Sequence, residues 1–183
     1  RALHRDHHLK ASCRRRGASI DAARAPYATG QWHVGPLLAA KVQPDDPQPV
    51  INPADAADSP GTVAPASAAD VETALNNAKP WDATPSERAS VLNKVADLYE
   101  ENYGELFAVI HREAGKSVLD AVAELREAVD FLRYYAANAP HETPVGTFTC
   151  ISPWNFPLAI FTGQVSAALA AGNAVLAKPA EQT

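Results

Sequence analysis

Apolar positions along the chain fall into three regimes. From 26 to 66 they are scattered among prolines, alanines and aspartates, and Pro44, Pro47, Pro49, Pro53, Pro60 and Pro65 exclude a continuous helix. Two runs there, Val50-Ile51-Asn52-Pro53 and Gly61-Thr62-Val63-Ala64, predict short strands joined by a loop, a hairpin with a structural role. Trp32, Val34, Leu37 and Leu38 suggest an apolar cluster that docks an arm onto the body. From 67 to 137 the spacing becomes helical. Ser67 stands three positions before Asp70, and Thr84-Pro85-Ser86-Glu87 combines a hydroxyl cap, a proline at the first helical position and an acid at the third. Behind these caps Val71, Ala74, Leu75 and Ala78 predict one apolar face, and Ala89, Leu92, Val95, Ala96 and Tyr99 a second. Gly104 is expected to bend or interrupt the helical run beyond Tyr99. Leu106, Phe107 and Ile110 continue the pattern to Glu113-Ala114-Gly115-Lys116, and Ser117 opens a further helix with Val118, Val122, Leu125, Val129 and Leu132 on one stripe.

The third regime organises the rest. Phe148-Thr149-Cys150-Ile151 is a short β-prone run that breaks into Ser152-Pro153-Trp154-Asn155-Phe156-Pro157. A mostly apolar stretch runs from Leu158 to Ala171 and stops at Gly172-Asn173, before a second β-prone run, Ala174-Val175-Leu176-Ala177, which ends at Lys178-Pro179-Ala180-Glu181. The order is strand, turn, helix, strand: a βαβ unit of an α/β protein. Pro157 suits the first position of that helix and Gly172-Asn173 its end. The helix is shorter than the roughly 20 apolar residues a bilayer span requires. In an open parallel sheet, ligands gather outside the carboxyl ends of the strands. This unit would deliver Trp154 and Asn155 there from the first strand, Lys178 and Glu181 from the second. An acid at the end of the second strand occupies the position of a dinucleotide's ribose ligand, and Lys178 could donate to the same hydroxyls, although the G-x-G-x-x-G fingerprint is absent.

Composition changes the picture little. The chain has 183 residues, 46% of them hydrophobic, and a formal net charge of −5, which gives no overall cue for nucleic acid. Cys13 and Cys150 suggest no disulfide framework and hence a reducing compartment, the cytoplasm. No secretory signal is evident, and no transmembrane segment. Residues 1–25 form a basic tail or linker; His4, His7 and His8 lie in it without the fixed ligand set of a structural zinc site, so no metal site is expected. Glu100, Glu101, Glu124, Arg126, Glu127 and Arg133 are expected on a solvated helix face with i,i+4 pairing. His111 is expected to be a packed or surface histidine, and Tyr134-Tyr135 to pack a helix end against the sheet. Cys150, inside an apolar strand run, is expected to be a buried, inert thiol.

The motifs P-W-N-F-P (153–157), A-L-A-A-G-N (168–173) and K-P-A-E-Q-T (178–183) resemble the aldehyde dehydrogenase superfamily. The longer stretches C-I-S-P-W-N-F-P-L-A-I-F-T-G-Q (150–164) and A-E-L-R-E-A-V-D-F-L-R-Y-Y-A (123–136) are most similar to the glutamate-semialdehyde (pyrroline-5-carboxylate) dehydrogenase module of bifunctional proline-utilisation proteins, and Glu113–Lys116 resembles the family's E-T-G-K. The resemblance implies an aldehyde dehydrogenase-like fold: an N-terminal arm and hairpin at 26–66, then helices and the first βαβ of a Rossmann-like NAD-binding domain at 67–183, incomplete here. It implies NAD as cofactor, with FAD only if a proline dehydrogenase domain lies upstream. The partners it implies are NAD and an aldehyde substrate in a homo-oligomeric enzyme, cytoplasmic or peripheral to the inner membrane. By resemblance, the Asn155 side chain stabilises the reaction's oxyanion, Lys178 and Glu181 bind the adenosine ribose, and Ile151, Ser152, Pro153 and Trp154 wall the cofactor. Glu181 would favour NAD over NADP, whose 2′-phosphate would meet its carboxylate. The family's nucleophilic cysteine and general-base glutamate match no position here, so this chain alone is expected to be inactive. The alternatives are a part of another aldehyde dehydrogenase, or a truncated chain with at most nucleotide binding.

Overall fold

Helix α5 (Val118–Ala137) is the element on which the others are assembled, because a continuous apolar stripe along it meets three partners. The computed structural model describes residues 17–183; the basic stretch 1–16, with its histidines and Cys13, lies outside the described residues. Residues 17–24 are helical (α1) and run into a 3-10 turn, Ala25–Tyr27. Then come β1 (Trp32–Val34), β2 (Gln48–Val50), β3 (Gly61–Val63), α2 (Ala68–Asn77), α3 (Pro85–Glu101) and α4 (Tyr103–Ala114). After α5 follow β4 (Thr147–Ile151), α6 (Ala159–Ala170) and β5 (Ala174–Lys178). The core unites Leu92 and Ala96 of α3, Phe107 and Ile110 of α4, Ala121, Leu125, Val129, Leu132 and Ala136 of α5, and Ala170 of α6.

The capping signals form as expected. Thr84 Oγ1 accepts the Glu87 N–H, and the Glu87 carboxylate accepts the Thr84 N–H at 2.8 Å. Ser67 and Asp70 make the same reciprocal pair at α2, and buried Asp70 also accepts the Gln43 N–H at 2.7 Å, tying the arm to the helix. The apolar face expected on α2 is not buried: Val71 and Leu75 are both close to half exposed. The break between α3 and α4 falls at Asn102, not at Gly104, and the Asn102 amide donates to the Leu98 carbonyl at 2.8 Å. Gly104 sits inside α4 and is buried, because a Cβ there would overlap the backbone carbonyl of Ala23. Its role is to let α1 lie against α4.

The arm holds a three-stranded sheet in the order β1-β3-β2, with β3 parallel to β1 and antiparallel to β2. The expected hairpin of β2 and β3 forms, but its first strand lies at Gln48–Val50 and not at 50–53, because the chain turns at 52–58, where Asn52 bonds Ala54 and Asp58. Strand β1 is additional, and Pro49 is tolerated because β2 is an edge strand. The expected apolar cluster does not dock this arm, since Leu37 is 97% exposed and Val34 58%. The docking is polar. Trp32 Nε1 donates to Glu105 at 2.8 Å, and buried Arg112 donates to both carboxylate oxygens of Asp58, at 2.9 and 2.6 Å, and to the Gly30 carbonyl at 2.6 Å. The Arg112 hydrogen bonds, followed by that from Asn52, hold the Asp58 carboxyl down at about 2 against an ordinary 3.8. A carboxyl whose folded value is depressed contributes stability above its unfolded value and loses it as pH falls toward the folded one. Wild-type stability is therefore expected to fall between pH 4 and pH 2 more steeply than that of Asp58→Asn, a comparison that thermal unfolding across that range checks directly.

The βαβ unit is present. Strands β4 and β5 are parallel, in a register that runs from Thr147 opposite Ala174 to Ile151 opposite Lys178. Gly172, at φ +78°, makes the left-handed turn out of α6. Pro157 is not the first residue of that helix; it lies in the preceding turn, and α6 begins at Ala159. Tyr134-Tyr135 does not meet the sheet as expected. Tyr134 is 62% exposed, while Tyr135 stacks on Phe131, whose ring occupies the space beside Gly163 of α6.

Candidate cofactor and oxyanion site

The candidate residues converge because the parallel register puts two strand ends side by side. Ile151 pairs with Lys178, and the Ser152 N–H donates to the Lys178 carbonyl at 3.0 Å, carrying the pairing one residue past the strand. Ser152 is buried and Pro153 half-buried, and from there the chain turns outward. Trp154 is 61% exposed and Asn155 is exposed. Among the described residues the Asn155 side chain makes no hydrogen bond, so its amide is free to donate and does not cap α6.

At the end of β5, Lys178 Nζ and Glu181 Oε1 are 2.5 Å apart, both largely open to solvent. The hydrogen bond from Lys178 and that from the Glu181 backbone N–H lower the carboxyl's pKa. The carboxylate stays ionised at neutral pH and offers acceptors beside an ammonium donor, the complement of two adjacent hydroxyls. Cys150 faces inward and is 6% exposed, and burial pushes its thiol up, away from thiolate. This setting favours the thiol over the reactive thiolate, in line with its apolar surroundings.

Glu124 overturns its expectation. It is not on a solvated face but 1% exposed, with Oε1 accepting the N–H groups of Leu158 at 2.8 Å and Ala159 at 3.2 Å. Its Oε2 is 2.5 Å from Lys116 Nζ, which also lies 4.2 Å from the centroid of the Phe156 ring. Glu100 and Arg133 do lie in solvent, but the expected i,i+4 pairing is replaced by pairing between helices: Arg133 of α5 binds Glu100 of α3, and Asp97 at 3.2 Å. The signal for Glu124 was its place on the stripe of Ala121, Leu125 and Ala128. Among the described residues, no helix is long and apolar enough to cross a membrane.

Residues 40–183 match the sequence profile described as the aldehyde dehydrogenase family, which covers well over half of the chain. The chain belongs to that family. It is 51% identical over 178 residues to the bifunctional protein PutA of Escherichia coli (strain K12), covering 91% of this chain and 13% of that protein. It is 36% identical over 180 residues to the alpha-ketoglutaric semialdehyde dehydrogenase of Bacillus subtilis (strain 168), covering 86% of this chain and 36% of the relative. Its fold superposes on a 1-pyrroline-5-carboxylate dehydrogenase from Thermus with bound NAD at a TM-score of 0.79 and 31% identity, over 90% of this chain and 37% of that one. The chain thus spans well under half the length of these relatives.

Proposed function

We propose that this chain is part of an NAD-dependent L-glutamate γ-semialdehyde dehydrogenase, the activity that oxidises the semialdehyde derived from pyrroline-5-carboxylate to glutamate in proline catabolism. The observation that supports this reading is the pairing of Ile151 and Ser152, which lead into Trp154 and Asn155, with Lys178, itself ion-paired to Glu181, at one sheet edge, in a chain 51% identical to a PutA protein. Residues 26–66 serve as arm and hairpin, and 67–183 as the N-terminal part of the NAD-binding domain. Glu181 accepts hydrogen bonds from the adenosine ribose and Lys178 donates to it. Ile151, Ser152, Pro153 and Trp154 line the cofactor, largely through backbone and packing. NAD, when bound, supplies the hydride acceptor. The Asn155 amide donates to the oxyanion that forms when a thiolate from elsewhere in the enzyme adds to the aldehyde. Cys150 takes no part in this chemistry.

Calorimetry of NAD with this chain tests the ribose site. Binding is expected, and Lys178→Ala combined with Glu181→Ala should weaken it about tenfold or more through lost hydrogen bonds. NADP should bind more weakly than NAD to the unaltered chain. Equal affinity in variant and wild type would reject the assignment of Lys178 and Glu181.

The alpha-ketoglutaric semialdehyde relative motivates a second reading, in which the same cofactor unit serves another aldehyde. The longer polypeptide proposed here, supplied with NAD and each semialdehyde in turn, separates the two. Oxidation of other aldehydes with no turnover of glutamate semialdehyde would favour the second.

A further inference from the structure

Helix α6 begins without a cap of its own. Its N-cap residue is Leu158, whose side chain accepts nothing, so the first N–H groups need a partner from elsewhere. Glu124, 34 residues earlier, supplies it by accepting the Leu158 and Ala159 N–H groups. Lys116 in turn is ion-paired with Glu124, whose Oε2 accepts no hydrogen bond among the described residues, and sits against the ring of Phe156, the residue next to Asn155. At the other end of the turn, the Ser152 N–H is fixed to the Lys178 carbonyl. The segment 153–157, with Asn155 at its middle, is therefore held at both ends and clamped on one side chain.

A buried ion pair is a costly way to cap a helix. A serine or aspartate at the N-cap makes the same kind of hydrogen bond without removing two charges from water. Glu124 and Lys116 are both enclosed, their side chains 0% and 13% exposed. What the pair achieves that a local cap does not is a fixed spatial relation between α5, the start of α6 and the Phe156 ring.

We propose that Glu124 and Lys116 are positioning residues that set the orientation of the Asn155 amide toward the oxyanion. The proposal rests on the function proposed above. It is tested in the longer polypeptide with glutamate semialdehyde and NAD. Glu124→Gln removes the charge that Lys116 needs, and kcat is expected to fall up to about 100-fold, the scale of a small misplacement of a reacting group. The KM for NAD should not change. Glu124→Gln combined with Lys116→Met keeps an acceptor oxygen for the two amides and leaves no unpaired charge, so it should recover the part of the loss due to a stranded ammonium but not the part due to the lost hold on the Phe156 ring. Because the pair acts through Asn155, adding Glu124→Gln to Asn155→Ala should cost nothing further.

Losses that multiply fully in that combination would overturn the proposal. So would a loss in Glu124→Gln explained entirely by a smaller folded fraction. If the unaltered polypeptide fails to oxidise glutamate semialdehyde, the functional reading falls, and hydrogen exchange of the 152–160 peptide decides the positioning separately. Glu124→Gln or Lys116→Met should accelerate exchange there, and unchanged protection would reject the pair's role.

Discussion

Arg88→Met is expected to destabilise the protein by about 3–5 kcal/mol, less than the sum of three charge-assisted hydrogen bonds at about 1.5–3 kcal/mol each, because burying an uncharged side chain avoids the cost of enclosing the guanidinium. Arg88 is 5% exposed and lies between three parts of the chain. Its Nε donates to the Ala170 carbonyl at 2.8 Å, one terminal nitrogen to the Ala83 carbonyl and the other to Pro140 at 2.8 Å. The guanidinium thus joins the start of α3, the end of α6 and the loop after α5. Methionine has a similar stem but no donors, so it leaves these carbonyls unpaired at little change of volume. Lysine can reach only some of them, because its donors radiate from one point rather than a planar fork, and Arg88→Lys should fall between wild type and methionine. Urea unfolding, compared at equal slope, measures the difference. A loss below about 1 kcal/mol would show that water or a small repacking satisfies the carbonyls, and the staple would have to be abandoned.

Asn155→Ala is expected to lower kcat in the longer polypeptide by about 100–1000-fold, the range found on removing a single oxyanion donor. The side chain is exposed and makes no hydrogen bond among the described residues, so the fold does not depend on it. Thermal stability and NAD affinity should therefore match the wild type. That separation identifies a transition-state role: a purely structural asparagine would lower stability together with rate. Asn155→Asp sharpens the comparison, because a carboxylate of similar size cannot donate and repels the oxyanion. It should be no more active than alanine. A variant retaining a tenth or more of wild-type kcat would remove Asn155 from the mechanism.

The elements that were legible in the sequence are those whose signals are local. The capping boxes at Ser67 and Thr84, the Gly172 exit from α6 and the β4–α6–β5 succession each depend on residues within one turn of the event, and the structure places them where the pattern does. What escaped was long-range. Arg88 lies one and two turns before Leu92 and Ala96, and Glu124 falls among Ala121, Leu125 and Ala128. A charge on an apolar stripe implies an enclosed partner, but the partners are brought in by tertiary packing: Ala170 for Arg88, Leu158 and Lys116 for Glu124. The displacement of the α3–α4 break from Gly104 to Asn102 has the same origin, because Gly104 answers to α1 rather than to its own helix. The candidate site was legible as a set of residues at one edge. The clamp behind it was not, because half of it sits on helices that ordinary charge patterning assigns to solvent.

The β4–β5 pair has a further consequence. Among the described residues it is a ribbon of two parallel strands, with Ile151 60% exposed and Phe148 43%. Both long margins therefore carry backbone donors and acceptors that no neighbouring strand occupies, beside apolar side chains. Such a margin is a template: any extended segment of matching length can lie along it and complete its hydrogen bonds. The strand ends that carry the candidate cofactor residues thus belong to a ribbon that is unfinished by itself, and in the longer polypeptide proposed above its margins are where further strands of the same sheet would pair.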